Sequence, residues 1–221
     1  AATKVSGTGK VIEVPAARLL AFDQAQEREW TKGPSAAKTS EHHVSSSISR
    51  SDALLVGVAV HWFIERYAQC GGLADEKILA ALDRGLEVAA DGKPIDLAAR
   101  ERAVQLTQTF AHGALAARLL ESEVLGIELP MLLDGGAYGP IAGWVGSIDL
   151  LYVNPETGKV VVADHKTDRV GGGDPHEIAL RHAPQGRLYV EAVQRALQLD
   201  YRPDFEVWLI ETDDRVVVHT N

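Results

Sequence analysis

The chain has 221 residues, a formal charge of −9, 46% hydrophobic and 24% charged residues, the composition of one soluble globular domain with a full core. Its single cysteine, Cys70, excludes an internal disulfide, a Cys-based zinc site and a cysteine-ligated iron–sulfur cluster within the chain, and fits a reducing, cytoplasmic compartment. No stretch approaches the apolar length of a membrane span, and the acidic balance argues against a free-standing, non-specific DNA binder unless cations or a larger assembly offset it.

Residues 1–44 read as an N-terminal linker or extension and 45–221 as the folded domain. Val11 to Phe22 has some helical periodicity, KGPSAAKTS over 32–40 is loop composition, and AATKVSGTGKVIEV carries no apolar signal core. The string Gly7-Thr8-Gly9-Lys10 is not a P-loop, because that pattern needs a glycine where Lys4 stands and a Ser or Thr where Val11 stands. A Ser-rich run then precedes a strong helix from about Ala53 to Gln69, with Ser51 or Asp52 as N-cap. His61 and Glu65 share a face of it at i, i+4. A helical histidine among apolar neighbours is either a satisfied core residue or a ligand. Gly71-Gly72 stops the helix. A second helix follows from about Ala74 to Ala89, and a third, long one from Leu97 to Ser122.

Strands come next. Gly126 to Leu133 contains Glu128, either a salt-bridge member or a residue lining a site, and Asp134-Gly135-Gly136 reads as a turn. Val145 to Val153 and Val160 to Ala163 are two β-rich runs around the turn formers Asn154-Pro155-Glu156-Thr157-Gly158-Lys159. Pro155 suits the first central position of a type I turn, and Gly158 tolerates φ > 0. Folding this hairpin symmetrically pairs Val153 with Val160 and sets Asp149 opposite Asp164, with Lys166 on the same face as Asp164. Opposed carboxylates destabilise a sheet unless a cation lies between them. The alternatives are that Lys166 neutralises one of them, or that a bulge turns them apart. Gly171-Gly172-Gly173 reads as a flexible loop after the Lys166 strand; its spacing matches no phosphate-binding fingerprint, which favours a bare linker over a phosphate cradle. A helix from about His176 to Leu197, broken or delayed by Pro184, carries Gln185 and Tyr189 at i, i+4. Phe205 to Glu211 and Arg215 to His219 are closing strands.

Taken in order, Gly57-x-x-x-His61-x-x-x-Glu65, the Asp149 of Gly-Ser-Ile-Asp, Asp164-His165-Lys166-Thr167-Asp168 and Gln185-x-x-x-Tyr189 resemble the motifs of the PD-(D/E)XK nuclease superfamily, in its RecB/AddA-like branch. The resemblance covers roughly Ser45 to Glu211 and departs from the pattern in having Ile148, not proline, before the first aspartate. It implies a restriction-endonuclease-like α/β core, a mixed central sheet flanked by helices with a helical region before the sheet. It also implies a Mg²⁺- or Mn²⁺-dependent, two-metal-ion deoxyribonuclease processing DNA ends as an exonuclease in recombinational repair. A helicase domain or partner subunit is then expected. The metal ligands implied are His61, Asp149, Asp164 and the His165 backbone carbonyl, and the catalytic set is Lys166, Asp149 and Asp164. Gln185, Tyr189, Glu65, Glu128 and Thr167 are auxiliary or DNA-contacting. The His165 ring points to the opposite sheet face and is assigned a structural role. Two rival readings stay open: a non-catalytic DNA-end or protein-binding module on the same fold, and a metal-dependent hydrolase of small phosphoesters.

Overall fold

The computed structural model describes residues 48–134 and 143–220. The expectations for residues 1–47, including the extension and its helical periodicity, lie outside these residues, as does most of the Asp134-Gly135-Gly136 turn.

The first described helix, α1 (Arg50–Gln69), begins one turn earlier than the apolar pattern suggests. Its N-cap is Ser49, not Ser51 or Asp52, and the Ser49 hydroxyl accepts from the Asp52 N–H at 3.1 Å. It ends where the N–H of Gly72 reaches back to the Tyr67 carbonyl at 2.9 Å, with both Gly71 and Gly72 at positive φ. α2 (Asp75–Ala90) follows. The expected long third helix is two helices, α3 (Leu97–Ala111), capped by the Asp96 carboxylate, and α4 (Ala114–Glu121). The break is tertiary in origin: the Asp213 carboxylate, from a distant turn, accepts from the N–H groups of Ala114 and Leu115. That supplies an N-cap which the local sequence does not contain.

The sheet has five strands in the order β1 (Glu123–Asp134), β2 (Gly143–Val153), β3 (Val160–Lys166), β4 (Asp204–Leu209) and β5 (Asp214–Val218). All neighbours are antiparallel except β3 and β4, which run parallel. The parallel step requires a crossover, and α5 (Pro175–Leu180) and α6 (Ala183–Ala196) provide it. Their separation at Arg181–His182, with Pro184 in the first turn of α6, matches the expected break, since proline is tolerated only at a helix start. The β2–β3 hairpin has the expected register, Val153 opposite Val160 and Leu150 opposite Ala163, with Gly158 at φ +68°.

Alternation along the strands sends side chains to two cores. One face, with Leu150, Tyr152, Val161, Ala163 and Trp208, packs against α1–α4 through residues such as Phe63, Leu82, Leu106 and Phe110. The other, with Val160, Val162, Phe205 and Val207, packs against Tyr189, Val190 and Val193 of α6. Gly186 lets α6 lie directly on the sheet, because a Cβ there would stand 2.2 Å from Phe205 Cδ1. A buried acid, Glu206, sits in the first core. It accepts from the Tyr152 hydroxyl at 2.7 Å and the Trp208 indole at 2.9 Å, and pairs with Arg215 at 2.9 Å, so its burial is compensated.

Candidate metal and nuclease centre

The site forms where the β2–β3 ladder opens. The last cross-strand pair is Leu150 with Ala163. One residue further along each strand the register would set Asp149 against Asp164. Instead the Asp149 carboxylate takes the ladder's place, accepting from the His165 N–H at 2.6 Å. This charge-assisted bond uses an otherwise orphaned donor. Asp164 and Lys166 share a face, as strand alternation requires, and their side chains meet at 2.7 Å. Lys166 thus neutralises Asp164, one of the alternatives the spacing left open. The Lys166 ammonium also donates to Gln185 Oε1 at 3.5 Å, and Gln185 donates to the Tyr189 hydroxyl at 2.8 Å. The close seating of α6 at Gly186 brings this Gln–Tyr pair to the strand. Gly146 of β2 lies beneath the Tyr189 ring, and a Cβ on it would come within 3.1 Å of the Tyr189 hydroxyl.

His61 arrives from α1 on the other side of the sheet. Its Nε2 lies 3.2 Å from the His165 carbonyl, and its Nδ1 lies 3.4 Å from Glu128 and 3.8 Å from Asp149. Glu128 also accepts from the Ser147 hydroxyl at 3.0 Å, so it is both an ion-pair partner of His61 and a neighbour of this cluster. It falls at the level of Asp149, between the pairs Ile127–Leu150 and Leu129–Ile148. Its backbone is at φ +48°, left-handed for a non-glycine residue, a strained state that costs about 1–3 kcal/mol.

Electrostatics mark the same cluster. Burial pushes the Asp149 carboxyl up to about 7; the neighbouring Asp164 adds to the rise, while His61 and the His165 N–H oppose it. For His61, burial lowers the pKa, but the Glu128 hydrogen bond and the charges of Asp149, Glu128 and Asp164 outweigh it and raise it overall. Burial would raise Glu128, yet the bond to His61, its charge and Ser147 bring it below the usual carboxylate range. Tyr189 is raised to about 12, first by burial. His165 is held well below its ordinary value by burial, then by the charges of His61 and Lys166.

These residues fit a divalent cation. Nitrogen and oxygen donors of His61, Asp149 and His165 lie within 4.8 Å of one another. The set combines imidazole with hard oxygen ligands. A carboxyl that burial drives toward protonation is one that a cation would return to its anion.

Two expectations meet a different arrangement. Glu65 is not brought to this centre, although it lies one turn from His61. Its carboxylate accepts from Gln69 at 2.9 Å and lines a surface groove between α1 and α2 with Trp62, Arg66 and Lys77. It shares the face of His61 but lies about 6 Å further along the helix axis, beside Gln69. The His165 ring does lie on the face opposite Lys166, against Trp208 at 5.3 Å between centroids, but it also faces His61 at 5.7 Å. Thr167 follows the site, half-buried, its carbonyl accepting from Arg102 at 3.4 Å. The Gly171–Gly173 segment is a turn closed by the Gly173 N–H on the Val170 carbonyl at 2.8 Å.

The sequence reading missed Arg102 and Glu211. They pair at 2.8 Å behind the site, and Glu211 also accepts from the Val170 N–H. Together they tie down the segment that leaves Lys166. Arg102 and Glu211 are 109 positions apart and carry no local signature.

Among the described residues, no helix is long and apolar enough to cross a membrane. No curated protein shows significant similarity to the chain. The family profile of the PD-(D/E)XK nuclease superfamily matches residues 36–218, a span that takes in α1, the whole sheet and every residue of the cluster. The mixed five-stranded sheet with flanking helices agrees with that match, and the chain belongs to the PD-(D/E)XK nuclease superfamily.

Proposed function

We propose that this chain is a metal-dependent deoxyribonuclease of the RecB/AddA-like kind, an exonuclease that processes DNA ends in recombinational repair as part of a helicase–nuclease. The observation that carries this reading is the grouping of His61, Asp149 and His165 where the sheet opens, with Asp164, Lys166, Gln185 and Tyr189 linked in one chain from the same strand to α6. Residues 45–221 are then the nuclease domain, with 1–44 a linker or extension before it, and the setting is cytoplasmic.

His61, Asp149, Asp164 and the His165 carbonyl would hold Mg²⁺ or Mn²⁺. When bound, such a cation supplies Lewis-acid stabilisation of phosphate charge and eases ionisation of water. The protein's own groups do the rest. Lys166, held by Asp164 and Gln185, positions the attacking water or takes its proton as a general base. Gln185 fixes the ammonium, and Tyr189 fixes Gln185. Water adds to phosphorus, the ester P–O bond breaks, and the leaving oxygen takes up a proton, giving a free hydroxyl and a phosphate monoester end. Glu128, itself held by the Ser147 hydroxyl, meets His61 at Nδ1, the kind of outer partner that orients a metal-binding imidazole. Thr167, just past the end of β3, is an auxiliary or DNA-contacting residue in this reading.

The test is cleavage of end-labelled single- and double-stranded DNA with Mg²⁺ or Mn²⁺. Asp164→Ala and Lys166→Ala should each remove cleavage while circular dichroism stays native. Full activity in both would end the catalytic assignment. The net charge of −9 favours one other reading, a non-catalytic DNA-end or protein-binding module on the same fold, which predicts no cation binding and no cleavage by the wild-type protein.

A further inference from the structure

We propose that the imidazole of His165 is a second nitrogen ligand at the cation site, beside His61 and Asp149, and that it tilts the site toward Mn²⁺ over Mg²⁺. The inference rests on the metal-dependent reading above and goes beyond the backbone carbonyl of the same residue.

Three observations carry it. A ring nitrogen of His165 lies within 4.8 Å of donor atoms of both His61 and Asp149. The residue is 2% exposed and its Nε2 has no hydrogen-bond partner. Buried polar atoms are nearly always satisfied, so each exception asks for a reason. Packing alone does not supply one: a phenylalanine would fill the space against Trp208, 5.3 Å away between centroids, with no nitrogen to orphan. The ring also stands edge to face with His61 at 5.7 Å and 68°, so two imidazoles converge on one side of Asp149.

The donor type sets the selectivity. Mg²⁺ binds through oxygen and water and gains little from nitrogen. Imidazole suits the first-row transition ions, of which Mn²⁺ is the one closest to Mg²⁺ in its tolerance of carboxylate and carbonyl oxygen. One imidazole, from His61, is compatible with either ion. Two imidazoles and a carboxylate form a set that Mg²⁺ fills poorly.

The test uses the intact chain without DNA. Pulsed electron paramagnetic resonance on the Mn²⁺-loaded protein, with ¹⁵N-labelled histidine, counts the imidazoles bound directly to the ion. Wild type should show two and His165→Phe one. Calorimetry should show that this variant loses about tenfold or more in Mn²⁺ affinity, the scale of a lost ligand-shell contact, with Mg²⁺ affinity changed less than threefold. A single imidazole on Mn²⁺ in the wild-type protein, which needs no variant to fold, overturns the role of His165 and leaves the nuclease reading standing. An unchanged Mn²⁺-to-Mg²⁺ ratio in a folded His165→Phe does the same. Failure of both ions to bind the wild-type protein overturns both readings.

Discussion

Replacing Arg102 by methionine should destabilise the protein without touching any residue of the cation site. The two side chains of the Arg102–Glu211 pair are 7% and 21% exposed and meet at 2.8 Å. Removing one partner of a buried pair typically costs about 3–5 kcal/mol, because the other charge is left uncompensated. Glu211 keeps some contact with water and still accepts from the Val170 N–H, so the low end, about 3 kcal/mol, applies. With a urea m-value of about 2 kcal/mol/M, the unfolding midpoint should fall by about 1.5 M. Arg102→Met combined with Glu211→Gln should recover most of that loss. The carboxamide oxygen still serves Val170 and no lone charge remains, so the double variant should lie within about 1 kcal/mol of wild type. Equilibrium unfolding in metal-free buffer, followed by circular dichroism and tryptophan fluorescence, reads both. A single variant within about 0.5 M of wild type, or strictly additive single and double variants, would refute the view that this pair is a desolvated, mutually dependent unit.

Gly146→Ala places a methyl 3.1 Å from the Tyr189 ring edge and hydroxyl. It should cost about 1 kcal/mol by overpacking and, by shifting the Tyr189–Gln185–Lys166 chain a few tenths of an ångström, lower kcat by about tenfold; unaltered turnover would sever that chain from catalysis. Asp213→Ala removes the acceptor for Ala114 and Leu115 N–H. It should lower stability by about 1 kcal/mol, the usual value of an N-cap, with DNA cleavage unchanged. In metal-free protein, the folded state holds protons more tightly than the unfolded chain at both Asp149, raised to about 7, and His61, also raised. Their contributions are therefore complete below the unfolded values, about 4 for an aspartate and 6.5 for a histidine, and are lost as pH rises through the folded ones. Between about pH 4.5 and 8 stability should decline, as the unfolded chain releases these protons first. Mn²⁺ competes with the same protons, so its thermal stabilisation should be larger at pH 8 than at pH 6. Equal shifts at both values would place the cation elsewhere.

How much of this was legible depended on whether the signal was local. The hairpin was, because period-two alternation on both sides of Asn154–Lys159 leaves one sensible register, and the Val153–Val160 pair follows from it. Asp164 and Lys166 followed from the same alternation. The opening of the ladder one residue beyond Leu150–Ala163 did not, since it depends on Asp149 outcompeting a backbone carbonyl for the His165 N–H. The α3–α4 break was hidden because its cap comes from Asp213, 99 positions from Ala114. Glu65 belongs to the Gly57-x-x-x-His61-x-x-x-Glu65 pattern, which fixes its turn of α1 but not its partner, Gln69. The His165 ring was placed on the correct face, yet nothing in its neighbours told that α1 carries His61 across that same face.

In the proposed nuclease, the Asp149–His165 bond gives one carboxylate two tasks, the chemistry and the closure of a strand pair. Truncating it to alanine would strip the sheet end of an acceptor, so a dead Asp149→Ala protein would confuse damage with disarmament. Asparagine keeps a carbonyl oxygen for the amide while discarding the negative charge. For the proposed nuclease, Asp149→Asn is therefore the variant to use as a DNA-binding control, with that acceptor kept.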